Sequence, residues 1–251
     1  MRHSSLPPVF ILAAGVGRRL APLTDDRPKA LVKVGGRSFL ERAMRAVEGT
    51  GFAQVAIVTG HRAEMVESAV RRGGWALDAR CVLNESYATA NNIVSFLAVA
   101  DAMGNGFCLL NSDIVFDASI LRDVAAAGPG CWLVVDSDEP LGAEEMKVQA
   151  DANDLVRRVS KGLPPETSAG EYIGIARFDA PGAAAVIQQA RELVAEGGTD
   201  LYYEDAFDRV APELTIGMLP VAGRAWTEVD DLVDYERAVN VARALDARTG
   251  K

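Results

Sequence analysis

The chain has 251 residues, of which 49% are hydrophobic and 24% charged; that is enough apolar material for a sizeable core and excludes a disordered tail. Its formal net charge of −9 argues against bulk nucleic-acid binding, which needs a broad positive surface. No apolar run reaches about 18 residues, so no membrane span is expected, and Met1 to Pro8 lacks the apolar stretch of a signal peptide.

Residues 1–8 read as a flexible tail, and residues 9–251 as one α/β domain. Val9 to Ala13 is a strand that runs into glycines. Phe39, Leu40, Ala43, Met44 and Val47 share one helical face. Val55 to Thr59 is a strand, Glu64 to Arg71 a helix, and Ala79 to Leu83 a short strand. Asn92 to Met103 is an apolar helix that Asn91 can cap. Phe107 to Asn111 and Cys131 to Val135 are strands. Strands alternating with helices indicate a mostly parallel sheet covered on both faces. Further on, Met146 to Ala150 and Val156 to Ser160 read as an inserted hairpin, and Tyr172 to Phe178 as a strand. Ala183 to Ala195 and Tyr203 to Val210 read as helices, Thr215 to Pro220 as a strand, and Asp231 to Ala247 as a final helix. The cysteines, Cys81, Cys108 and Cys131, are odd in number and without metal-ligand spacing; they read as inert thiols in a reducing cytoplasm.

Local charge departs from the acidic total. Between residues 16 and 37, Arg18, Arg19, Arg27, Lys29, Lys33 and Arg37 outnumber Asp25 and Asp26. A basic segment in an acidic protein is a candidate anion site, although a charged surface loop would look the same. It overlaps Leu12-Ala13-Ala14-Gly15-Val16-Gly17-Arg18-Arg19-Leu20, followed by Pro22-Leu23-Thr24 and Pro28-Lys29-Ala30-Leu31. Glycines after a strand let backbone N–H groups approach phosphate oxygens, and also serve ordinary steric turns. Arg19 and Lys29 can neutralise phosphate charge. The third glycine of a dinucleotide fingerprint and the Gly-Lys-Ser/Thr of a Walker loop are both missing.

This string resembles the opening motif of the sugar-phosphate nucleotidyltransferase family, and a looser resemblance extends from about Val9 to Val239. One departure is Ser38, where the family usually has proline, and an altered loop is expected there. The resemblance implies a Rossmann-like, GT-A-like fold and transfer of a nucleotidyl group with loss of pyrophosphate. Such transfer needs charge neutralisation at the α-phosphate, which magnesium held by one or two carboxylates supplies.

Asp113 follows an apolar strand, at the end where α/β sheets place ligands, though an aspartate there can equally cap a helix. The family carries a metal aspartate in the region matched by Asn111-Ser112-Asp113, and a second in the segment resembling Trp226-Thr227-Glu228-Val229-Asp230-Asp231. Asp230 is taken as the second ligand and Asp231 as a helix cap, with the reverse left open. The implied catalytic set is Arg19, Lys29, Asp113 and Asp230. The implied nucleotide site runs from Leu12 to Arg19, with Lys29, Asn91, Asn92 and Ser112.

Asn84-Glu85-Ser86-Tyr87 and Asn91-Asn92-Ile93-Val94-Ser95 resemble the phosphocholine and phosphonate cytidylyltransferase branch, although Asn91 and Asn92 could instead merely cap a helix. CTP and a small phosphorylated or phosphonylated head group are therefore the expected substrates. Lys161 is at a position resembling the family lysine for the acceptor phosphate, and Lys147 is a second candidate. Tyr172, Tyr202, Tyr203 and Trp226 could line an acceptor pocket or simply pack the core. Glu204 and Asp205 could pair with a primary ammonium, and Glu228 belongs to the same acceptor set. Sugar or cyclitol phosphates with another triphosphate are the runner-up. A non-catalytic nucleotide-sensing subunit is a third reading, set against the presence of Arg19, Lys29 and both acids. Oligomeric state stays open, with a homodimer allowed.

Overall fold

Strand β1, Val9–Ala13, is buried throughout. Phe10 and Leu12 enter one apolar cluster, and Val9, Ile11 and Ala13 enter another on the opposite face. A strand covered on both faces reads as a continuous apolar run rather than an alternating one. The structure, a computed structural model, describes residues 6–249. Residues 1–5 of the expected tail lie outside that range. Leu6 packs against the core and the Pro8 carbonyl accepts from the Cys108 N–H at 3.0 Å, so residues 6–8 are held against the domain.

A two-strand ribbon follows, β2 (Lys33–Val34) with β3 (Arg37–Ser38). Helix α1, Phe39–Glu48, starts at Ser38, whose hydroxyl accepts from the Glu41 N–H at 3.1 Å. The residue that departs from the family's proline thus serves as an N-cap. Then come β4 (Gln54–Thr59), α2 (Ala63–Arg72), β5 (Asp78–Leu83), α3 (Asn92–Leu97), β6 (Phe107–Asn111), β7 (Ile114–Phe116), α4 (Ala118–Ala126) and β8 (Cys131–Asp136). The hairpin is β9 (Lys147–Ala150) with β10 (Val156–Ser160). The chain ends through β11 (Gly170–Phe178), α5 (Ala180–Ala195), α6 (Tyr203–Val210), β12 (Ile216–Pro220), β13 (Trp226–Glu228) and α7 (Leu232–Thr249).

The central sheet runs β10-β9-β11-β6-β1-β4-β5, with β8 also on β11 and β12 on β8. Strands β6, β1, β4 and β5 are mutually parallel, while β11 lies antiparallel to β6. Around β11 the register with β8 shifts between Tyr172 and Ala176, where Gly174 has φ +81°. A β-carbon there would lie 2.7 Å from the Asn111 amide nitrogen. Glycine lets β11 bulge and lets Asn111 turn inward.

The helix expected over 92–103 ends at Leu97 and resumes as a short 3-10 turn at Ala100–Ala102. Val99 leaves helical geometry with φ −116°. The tighter turn still buries Ile93, Phe96, Val99, Ala100 and Met103, so the burial pattern is kept while the helix is not. Strands β2, β3, β7 and β13 and helix α4 are additions to the sequence reading; the first four are two or three residues long, too short for periodicity to register. The three cysteines are free, and burial raises their thiols, to about 11 at Cys81 and about 12 at Cys108 and Cys131. Among the described residues, no helix is long and apolar enough to cross a membrane.

Candidate active site

Strands β1 and β6 end side by side, and a cavity of about 360 Å³ opens beyond their carboxyl ends. This is where an open parallel sheet exposes unpaired loop backbone between helices. Leu12, Ala14 and Gly15 form one wall, and Asn111, Ser112 and Asp113 a second. After β1 the chain turns at Gly17, φ +73°, and the Thr24 hydroxyl donates to the Gly17 carbonyl at 2.9 Å. A β-carbon on Gly17 would sit 2.9 Å from the Lys29 β-carbon. The glycine therefore allows a left-handed turn and makes room for the lysine stem.

Lys29 crosses the mouth of the cavity. Its Nζ donates to Asp113 Oδ2 at 2.7 Å and to Asp230 Oδ1 at 2.9 Å. Arg19 lies 2.8 Å from Asp230 Oδ2. Carboxylate oxygens of Asp113, Glu228 and Asp230 lie within 4.8 Å of one another. Burial works against the Lys29 charge, but Asp113 and Asp230 outweigh it and hold the ammonium above its ordinary value. Burial likewise opposes the Asp230 charge, yet Lys29 and Arg19 pull its carboxyl below the usual range. Glu228 has no such direct partner: burial, then Asp113 and Asp230, push it up to about 8. Asp113 Oδ1 is buried without a hydrogen-bond partner. Three carboxylates converging on one point, one carrying an unmatched oxygen, is a donor set suited to a hard divalent cation.

Asp231 is used differently. Its Oδ1 accepts from the N–H groups of Val233 and Asp234 at 2.8 and 3.0 Å, at the start of α7. Asp234 in turn accepts from the Asp230 N–H at 3.1 Å. The helix start thus orients Asp230 towards Lys29.

On the far wall, Lys161 Nζ lies 5.4 Å from the Tyr202 ring centroid and 3.7 Å from Glu144. Tyr172, Tyr202, Glu204, Asn91 and Asn92 also line the cavity. Asn91 caps α3 through its Oδ1 and donates to the Asp200 carbonyl at 2.9 Å, so helix capping and cavity lining coincide.

Several expected residues lie elsewhere. Lys147 is 1% exposed. Its ammonium donates to the carbonyls of Gly142 at 2.9 Å and Glu145 at 3.1 Å, so it braces a loop and does not face the acceptor wall. The Asp205 carboxylate accepts from the Tyr202 N–H at 2.8 Å and caps α6. Trp226 donates to Asp136 and borders an adjoining acidic cleft that shares Arg19, Glu144, Lys161, Glu228 and Asp230 with the main cavity. Ala13 points into the core. Gly17 and Arg18 border a smaller cleft beside the main one, and Val16 lines neither. Of the six basic residues between 16 and 37, Arg19 and Lys29 reach the main cavity; Arg37 instead pairs with Asp246 at 2.6 Å and Arg27 with Asp26 at 2.7 Å. Glu144 and Met146 line the cavity without having been singled out. They lie in an irregular stretch before the hairpin, and no motif marks them.

The MobA-like NTP transferase domain matches residues 9–162. The chain belongs to this family. The chain is therefore a nucleotidyltransferase. This transferase is 25% identical to a choline-phosphate cytidylyltransferase of Streptococcus pneumoniae, with 93% of this chain and 97% of the relative covered. It is 26% identical to a 2-aminoethylphosphonate cytidylyltransferase of Lancefieldella rimae, covering 90% and 89%. It is 28% identical to a CMP-5'-(3-aminopropyl)phosphonate synthase of Streptomyces rubellomurinus, covering 91% of this chain but 37% of that longer protein. The transferase superposes on the CTP:phosphocholine cytidylyltransferase of Streptococcus pneumoniae with a TM-score of 0.81 at 23% identity, covering 94% of this chain and all of the other. With the inositol-1-phosphate CTP transferase of T. maritima the TM-score is 0.75 at 17% identity, covering 94% and 96%.

Proposed function

We propose that the transferase moves CMP from CTP to a small phosphorylated or phosphonylated head group and releases pyrophosphate. The observation that carries this reading is Lys29 bridging Asp113 and Asp230 beside the glycine turn, with Glu228 alongside. That arrangement pairs a cationic bridge with a divalent-ion donor set at the rim of one cavity. The cytidine preference is supported by the relatives of 25–28% identity, whose names specify cytidylyl or CMP transfer.

Asp113 and Asp230, with Glu228 beside them, would hold magnesium, and the ion would neutralise phosphate charge when bound. The backbone N–H groups after β1 face the polyphosphate, and Arg19 offsets charge on the leaving pyrophosphate. Lys29 is released from the two aspartates to a phosphate oxygen. Lys161 holds the acceptor's anionic group. The acceptor oxygen forms a bond to the α-phosphorus, and the bond from that phosphorus to the β-phosphate bridge breaks. The nucleophile is already anionic, so no strong general base is required, and positioning with electrostatics supplies the rate.

Pyrophosphate release, measured with CTP, UTP, GTP, ATP and dTTP against head-group and sugar phosphates, tests the proposal. CTP with a head-group phosphate is expected to lead, and chelation by EDTA to abolish turnover. Preference for another triphosphate, or for a sugar phosphate, would overturn it.

A further inference from the structure

We infer that the acceptor carries a primary ammonium group and that the buried carboxylate of Glu204 selects it. This rests on the transfer reading above and names the acceptor's other end.

Glu204 is 4% exposed yet lines the cavity, and its Oε2 is buried with no hydrogen-bond partner. The two neighbouring phenol protons are committed elsewhere. The Tyr203 hydroxyl gives its single proton to Asn111 Oδ1 at 3.0 Å. Tyr172 lies 3.2 Å from the Tyr203 hydroxyl. Because Tyr203 has spent its proton, Tyr172 must donate to Tyr203 and has none left for the carboxylate. Burial lifts the Glu204 carboxyl to about 7, against its own backbone N–H and the Tyr203 and Asn92 side chains on the carboxylate, none of which bonds Oε2. A buried carboxylate oxygen without a donor is unfavourable, and a cation carrying N–H groups relieves both the missing hydrogen bond and the buried charge.

Lys161 and Glu204 line one cavity, with Tyr202, which lies under the lysine, two residues before Glu204. An acceptor that meets both is anionic at one end and cationic at the other, with a short linker. A quaternary ammonium fits this wall less well. It has no N–H to give and relies on open aromatic faces. The Tyr172 ring packs edge-on against Tyr203 and Phe207 in the core. The Tyr202 face is taken by Lys161, and Tyr87 packs beside His61 at 6.2 Å.

The test uses three acceptors that share one skeleton and differ only at the far end: O-phosphoethanolamine, phosphocholine and ethyl phosphate. Each is assayed with all five triphosphates. In wild type, O-phosphoethanolamine should exceed both others in kcat/KM by at least about tenfold, since a site built to bond an N–H rejects the analogue lacking it. In Glu204→Gln the ratio of O-phosphoethanolamine to ethyl phosphate should collapse towards one. Calorimetric binding of the same three compounds to the whole protein should follow the same order without turnover. Equal or better use of phosphocholine would overturn the inference. So would a Glu204→Gln variant that keeps the ratio while raising KM for CTP, because Glu204 would then read the base. A triphosphate other than CTP leading the panel would sink the earlier reading while leaving the order of acceptors readable.

Discussion

Lys29 occupies the point where a bound cation would compete for its two carboxylates and a polyphosphate for its ammonium. It is held between Asp113 and Asp230 at 2.7 and 2.9 Å, so its removal exposes three facing acids to one another. Lys29→Met should reduce kcat by about 10²–10³-fold, the usual cost of losing one electrostatic donor at a reacting phosphate. Its melting temperature should also rise more on adding magnesium than that of wild type, because the acids lack their resident cation. Unchanged turnover, or an identical magnesium response, would count against this account. Both residues flanking the lysine in space could be picked out along the chain, Asp113 by its place after a strand and Asp230 by its motif. The role of Glu228 as a third acid of the cluster could not. It sits on β13, whose pairing with β7 (Trp226 to Phe116, Glu228 to Ile114) brings it beside Asp113, and a three-residue strand leaves no periodic trace.

Secondary structure elements deliver these side chains, and their ends matter more than their middles. Ser38 starts α1, Asp179 starts α5 by accepting from the Gly182 N–H at 3.0 Å, and Asp231 starts α7. Each is a short polar residue just before a helix; the sequence reading takes Asp231 as such a cap, but reads Ser38 as an altered loop and starts α5 at Ala183, three residues late. The loop before β9 is different. It is held by Lys147, whose ammonium is surrounded by backbone carbonyls, and it carries Glu144 and Met146 into the cavity. Lys147→Met keeps an unbranched side chain in the strand and removes the bonds to the loop. The acceptor KM should rise, by about tenfold, more than the CTP KM, as expected for misplaced positioning groups. Equal rises in both would show that the loop does not serve the acceptor. A lysine between strand residues gave no sign along the chain of whether it pointed to a ligand or to its own backbone.

For the protein as a whole, α7 closes the fold over the glycine loop and the ribbon. Leu20, Val32, Val34, Phe39, Val115, Val229, Ala238 and Ala242 form a third apolar cluster there. Asp246 accepts from Arg37 at 2.6 Å and from Arg42 at 2.8 Å. The Arg42 hydrogen bond, opposed by partial burial and reinforced by the charges of Arg42 and Arg37, lowers its carboxyl. A depressed folded pKa means stabilisation that is present above about pH 4, the unfolded carboxylate value, and lost as pH falls through the folded one. Asp246→Asn should therefore lower the melting temperature at pH 7 by a few degrees, roughly 2–4 °C per kcal/mol lost. The difference from wild type should shrink as the solution is acidified below the ordinary carboxylate range. A difference independent of pH would place the effect in packing, not charge.

Length, apolar content and alternation of strand and helix were sufficient to specify a mostly parallel α/β sheet, because local periodicity and a two-sided core leave few other arrangements. The string from Leu12 to Leu31 was sufficient to carry the family resemblance, because its order of glycines, cations and prolines lies within about twenty consecutive residues. Folding alone could bring Lys29, Asp113, Glu228 and Asp230 together across separations of 84 and 201 residues. It also turned Lys147 and Asp205 away from the cavity and left a carboxylate oxygen of Glu204, a residue of its wall, buried without a partner. The direction of a side chain depends on its neighbours in space, and those are chosen by long-range packing that no local pattern records.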